Sequence, residues 1–95
     1  MRSDLPHGAQ AAQLIHAANT SAKTAVPPGT YAIALTVKDE QGIHKLAQDL
    51  SSAGITHHVI TESDEPYSGQ AMAIGVEPGD RSKLKRHLSK YPLLK

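Results

Sequence analysis

The chain has 95 residues, with ten lysines and arginines against nine acids and no cysteine, tryptophan or phenylalanine. One domain spanning 1–95 is expected at this length, and the missing cysteines exclude disulfides, thiolate metal sites and a thiol nucleophile. No run approaches the roughly 20 apolar residues of a membrane span and none has the pattern of a secretory signal, so a cytoplasmic setting away from membranes is expected.

Pro6 and Gly8 punctuate the start, and the spacing predicts a helix over residues 8–21. Ala11, Ala12, Ile15, Ala18 and Ala22 recur at helical spacing and are expected to form its core face, with Leu14 widening it. Gln13 and His16, three positions apart, share one face. Residues 23–30 carry Pro27, Pro28 and Gly29 and read as a connection. Residues 31–37 are β-prone and almost continuously apolar, which predicts a central strand covered on both faces.

Asp39 suits the N-cap of a second helix, with Glu40 complementing its dipole. The apolar stripe is Ile43, Leu46, Ala47, Leu50 and Ala53, and Gly54 stops the helix. Strands are predicted over 55–61 and 71–76, separated by an acidic, turn-rich loop over 62–69. Pro78, Gly79 and Asp80 then open a third helix whose Leu84, Leu88 and Tyr91 share a face. Pro92 ends it, and Leu93 and Leu94 are expected to cover an edge of the core.

This order predicts an α/β fold, a mixed sheet of three to four strands flanked by helices. Only Met1 and Arg2 precede the first turn, so the first strand reads as truncated. The near-neutral total charge hides an asymmetry: residues 80–95 hold six basic side chains and one acid, residues 1–79 four and eight. Such a segment attracts phosphates; its plainer reading is a solvated helix face.

Asp4-Leu5, Gly8, Ala11-Ala12-Gln13 and His16-Ala17-Ala18 resemble the signature of the type-2 peptidyl-tRNA hydrolases. That signature runs R-x-D-L, a Gly-Lys pair, A-A-Q, then H-A-A after two residues. A strand like 32–37, a helix ending in Ala53-Gly54-Ile55, a strand with Ala73-Ile74-Gly75 and the closing Pro92-Leu93-Leu94 follow in the family's order. The resemblance spans nearly the whole chain, specific at the first helix and loose elsewhere, and marks a short, divergent, bacterial-like branch. It implies a four-stranded mixed sheet with helices, and hydrolysis by an activated water of the ester joining a peptide to the 3′ ribose of tRNA. It further implies tRNA or peptidyl-tRNA as partner. The family's opening V-L-V-V-R strand is reduced to Met1 and Arg2. Either that strand lies upstream or another takes its place, and an open sheet position makes a homodimer or strand addition an expectation. The Gly-Lys pair becomes Gly8-Ala9, and the family's D-A-G-x-T loop aligns with residues 61–69, which keep acids and hydroxyls without the spacing.

The reaction needs a base or positioned water, donors for the oxyanion and a basic surface. His16 suits deprotonation of water, Gln13 donation to the carbonyl oxygen, and Glu62 or Asp64 orientation of a histidine or base catalysis. Ser63, Tyr67 and Ser68 are spare hydroxyls. Arg2, Arg81, Lys85 and Arg86 are the expected phosphate contacts. Gln13 and His16 are expected to line a hollow that receives the ester end. Each residue also has a plainer reading: His16 satisfying a backbone group, Gln13 bridging helix to loop, the loop acids solvated, Asp4 serving a turn. Such a hydrolysis requires no cofactor. His57 and His58 are adjacent in a strand and point to opposite faces, and no H-x-x-x-H pair exists, so no metal site is expected. Two further readings stay beside the hydrolase: a fold-retaining module that binds tRNA or a protein without catalysis, and an assembly domain pairing through a sheet edge.

Overall fold

The computed structural model describes residues 1–22, 28–30 and 32–95. The opening helix α1 (His7–Ser21) begins after Pro6, whose fixed φ suits the boundary and whose carbonyl accepts the Gln10 N–H at 2.9 Å. The side chain of Gln10 turns back to donate to Leu5 O at 2.8 Å and Ser3 O at 3.4 Å. The turn over residues 3–5 is thereby tied to the helix it precedes.

The face that α1 buries is not the predicted one. Gln10, Gln13, Ala17 and Ser21 are buried, while Ala11, Ala12 and Ala18 are exposed and Ile15 is 69% exposed. Close approach decides this. A Cβ placed on Gly75 would fall well inside contact distance of the Ala17 carbonyl oxygen and 3.0 Å from Ser21 Cβ. Only a face of small residues lets helix backbone and strand come this near, and the two glutamines at its N-terminal end find polar partners there. Hydrophobic periodicity follows apolar residues and misses such a contact.

Helix α2 (Glu40–Ser52) follows its sequence closely. Asp39 accepts the Gly42 N–H at 3.1 Å, and Ile43, Leu46 and Leu50 are buried. Gly54, with φ of 71°, supplies the left-handed turn that ends it. Strand β1 (His57–Thr61) starts two residues later than predicted, because the buried Ile55 donates its N–H to Leu50 O. It pairs antiparallel with β2 (Ala71–Val76), from His57 opposite Val76 to Thr61 opposite Ala71. A register shift leaves Met72 as the extra residue between the partners of Ile60 and Thr61.

That extra residue explains the side-chain pattern of β2. Ala71, Ile74 and Val76 join the α2 side with Val37, Ile43, Leu46, Leu50 and Ile55, whereas Met72 and Ala73 join Met1, Leu5 and Ala17 on the α1 side. Helix α3 (Arg81–Leu88), capped by Asp80 on the Ser82 N–H at 3.0 Å, packs Leu84 and Leu88, followed by Tyr91, against the α2 side. The sheet therefore carries α1 on one face and α2 with α3 on the other.

The expected central strand over 31–37 is corrected. Tyr31, like 23–27 of the predicted connection, lies outside the described residues. Leu35 and Val37 make isolated bridges, to Leu93 antiparallel and to Arg2 parallel, and Ile33 is 68% exposed. Val37 donates to Met1 O and Ser3 to Val37 O, both at 2.8 Å; across the segment Thr36 donates to Pro92 O at 2.9 Å and Leu94 to Ala34 O at 3.0 Å. Arg2 N reaches Met72 O at 3.3 Å, so Met1 to Ser3 occupy the position between β2 and this segment. Among the described residues the architecture is thus an α/β arrangement of three helices and a two-stranded antiparallel sheet, extended by isolated bridges. Leu93, 59% exposed, borders Leu35 without covering the core. Among the described residues no helix is long and apolar enough to cross a membrane.

Candidate functional site

The loop that leaves β1 folds back on itself at once. Glu62 donates its N–H to Gln70 O at 3.0 Å, and Gly69 donates to Glu62 O at 2.8 Å, closing residues 62–70 into a compact turn. Gly69 has φ of 82°, a conformation that disfavours any side chain. Inside it the Glu62 carboxylate accepts three hydrogen bonds: Ser63 N at 2.9 Å and Asp64 N at 3.3 Å on Oε1, and Gln13 Nε2 at 3.0 Å on Oε2. The N–H groups of Asp64 and Ser63, with smaller help from Gln13 and the nearby His16, hold this carboxyl below the usual carboxylate range.

Gln13 is 3% exposed. An ionised carboxylate only accepts, so the amide must turn its nitrogen to Glu62. Its Oε1 is then buried with no hydrogen-bond partner among the described residues. An orphaned acceptor of this kind costs about 1–3 kcal/mol, and it stands at the residue where helix and loop meet. His16, on the same helical face, is exposed. Asp64 is exposed and joins the cluster through its backbone N–H. The structure thus brings together Gln13, His16 and Glu62 with the N–H of Asp64. The hollow expected to be lined by both Gln13 and His16 is corrected: the amide is sealed inside, the imidazole lies on the surface. Two shallow depressions lie elsewhere, one lined by α2 residues including His44 and Ser51, the other between Asp49 and Ser52 on α2 and Arg86, His87 and Lys90.

Arg2 is also corrected. It is 6% exposed, its Nε and Nη2 pair with both oxygens of Asp4 at 2.9 Å, and its Nη1 donates to Gln70 Oε1 at 2.9 Å and Ala71 O at 3.3 Å. A guanidinium with its donors committed inside the fold is no phosphate contact. Asp4 serves the turn, and its bond to Arg2 holds its carboxyl below the usual range. Arg81, Lys85 and Arg86 are exposed on α3, on the sheet face opposite α1, so they are not neighbours of the Gln13–Glu62 pair. Sequence reading passed over Gln10 and Gln70; the 10, 13, 17 spacing on α1 was the available signal for the first. Glu40, read only for its charge, also accepts the Ala71 N–H at 2.8 Å. His57 Nδ1 lies 2.9 Å from Ile55 O, and His58 Nε2 lies 2.8 Å from Glu77 Oε2. Among the described residues no three His, Asp or Glu side chains gather as a metal site.

Two depressed carboxyls give a pH prediction. Asp4 and Glu62 both bind protons less readily folded than unfolded, so their stabilisation is present above about pH 4 and is lost as pH falls through their lowered values. In urea melts from pH 6 to pH 2, Asp4→Asn and Glu62→Gln should each show a shallower acid decline than the parent. Parallel declines in all three proteins would contradict this.

The opening helix and the post-strand loop of this small α/β fold thus meet through a buried amide and a carboxylate at one end of the sheet. The model of the family Peptidyl-tRNA hydrolase PTH2 matches residues 1–94, and the chain belongs to this family. No curated protein matches the chain significantly.

Proposed function

We propose that this chain, as one domain over 1–95, hydrolyses the ester joining a peptide or aminoacyl group to tRNA, using a water held beside Gln13, His16 and Glu62. The observation that carries the reading is the 3.0 Å bond from Gln13 Nε2 to Glu62 Oε2. It links the segment most like the family's helix signature to the loop aligned with its acidic motif. A carboxyl held ionised is a weak base, so Glu62 orients: it fixes the Gln13 amide and accepts a hydrogen bond from the water through its remaining lone-pair capacity. His16, exposed beside it, takes the proton released on attack and returns it to the ribose 3′ oxygen as the ester C–O bond breaks, while the buried Gln13 amide holds the Glu62 carboxylate in place. Arg81, Lys85 and Arg86 hold the tRNA backbone at α3, with the 3′ end reaching round to α1.

The setting is cytoplasmic, where translation takes place. A homodimer pairing at the sparsely bridged segment 32–37 would cover Ile33 and Leu93; light scattering showing a monomer at every concentration would remove that part. A second reading, tRNA binding without hydrolysis, is favoured by Ala9, which packs its methyl against the Met1, Leu5 and Met72 cluster where the family motif has lysine. Release of labelled peptide from peptidyl-tRNA by the purified chain separates the two. The hydrolase should turn over with His16→Ala slowed by about 10²-fold or more. Salt-sensitive tRNA binding with no release would establish the second reading instead.

A further inference from the structure

Both partners of the Gln13–Glu62 bond are referenced to one short segment. Gln13 rides on α1, which Gln10 ties to Leu5 O and Ser3 O. Glu62 rides on the loop over 62–70, and the exit of that loop is gripped by Arg2, whose Nη1 donates to Gln70 Oε1 at 2.9 Å. Gln70 works in two directions. Its side chain faces Arg2, while its backbone carbonyl accepts the Glu62 N–H at 3.0 Å and its own N–H donates to Tyr67 O at 2.9 Å. Asp4 takes the other edge of the guanidinium at 2.9 Å and leaves Arg2 no freedom to rotate. From the far side Glu40 on α2 accepts the Ala71 N–H at 2.8 Å.

We infer that Gln70, held by the buried Arg2–Asp4 pair, is a positioning residue that sets the Glu62 carboxylate against the Gln13 amide. The inference rests on the proposed hydrolase reading for its kinetic consequence, though not for its structural one. The connection runs Asp4 to Arg2 to Gln70 to Glu62 to Gln13 through hydrogen bonds no longer than 3.0 Å. A bare carboxylate on a loop could reach the amide in many poses; a loop pinned at its exit leaves few. Neither Gln70 nor Arg2 touches the reacting atoms in this scheme.

The test compares Gln70→Met, which keeps length and loses the acceptor, with Gln70→Glu, which keeps an acceptor for Arg2. Misplacement of a reacting group by about 1 Å costs up to 10²-fold, so Gln70→Met should lower kcat by about 10- to 100-fold with KM within about twofold. Gln70→Glu should restore most of that loss. A second readout needs no turnover: in NMR spectra the Gln13 side-chain amide and the Ser63 and Asp64 N–H signals should shift and exchange faster in Gln70→Met and return in Gln70→Glu. Parental signals in Gln70→Met, or equal effects of both substitutions, would overturn the inference. An inactive parent whose amide signals still respond in this way would sink the hydrolase reading and leave the positioning chain standing.

Discussion

If the proposed hydrolase reading holds, Glu62→Gln should abolish most hydrolysis while leaving the fold intact. Glutamine keeps the length of the side chain and can still accept from Ser63 N and Asp64 N through its oxygen. Its nitrogen then faces Gln13, and two amide nitrogens repel. Gln13 relieves this by flipping, which turns its orphaned Oε1 toward the new donor. The flip places the Gln13 nitrogen where the orphaned oxygen lay, so one unpaired buried atom replaces another, and the bonds from Ser63 N and Asp64 N lose their charge assistance. The fold should therefore persist with a modest loss of stability, whereas kcat should fall by about 10²- to 10³-fold, the usual loss when a group aligned on the transition state is removed. Gln13→Ala should lose a similar factor, and the double variant little more, because the two side chains act as a unit. Steady-state kinetics with peptidyl-tRNA and urea melts together decide it. Parental turnover by Glu62→Gln would remove the carboxylate from the mechanism.

Among the glycine-to-alanine substitutions, Gly75→Ala should be the most damaging. The added methyl meets the carbonyl of Ala17, a backbone atom that no rotamer change can move, and it lies 3.0 Å from Ser21 Cβ. Helix α1 must lift from the sheet, which should cost about 3 kcal/mol, the upper part of the usual overpacking range. The same displacement draws Gln13 away from Glu62, so residual folded protein should also lose activity. Gly8→Ala is the matched control. A Cβ there meets nothing within 4 Å and Gly8 lies in α1, so helix propensity should leave the protein unchanged or slightly stabilised. Equal urea midpoints for Gly75→Ala and the parent would show that α1 and β2 do not approach as described.

Much of the fold was readable from local chemistry. Asp39 and Asp80 each cap the helix predicted to follow them, Gly54 supplies the left-handed turn expected of it, and Ile43, Leu46 and Leu50 point inward as their spacing requires. The site was legible in part. The resemblance drew attention to Gln13, His16 and Glu62, and the plain reading of Gln13 as a bridge from helix to loop describes the bond that the structure contains. The basic C-terminal helix was also legible, but its position on the opposite sheet face from α1 was not. Arg2 shows the converse failure: a lone arginine near the terminus looks available for phosphate until Asp4, Gln70 and Ala71 are found around it.

The sequence by itself determined the three helices, the caps at Asp39 and Asp80 and the turn at Gly54, because each depends on neighbours within a few residues. Tertiary structure alone decided which face of α1 is buried, whether residues 32–37 extend a sheet, and which polar groups meet. Those outcomes depend on contacts between groups 34 to 69 residues apart, such as Met1 with Leu35, Gln13 with Glu62 and Arg2 with Ala71. In α1 the approach of two backbones outweighed the burial of Ile15, since a close-packed interface favours small residues over apolar ones.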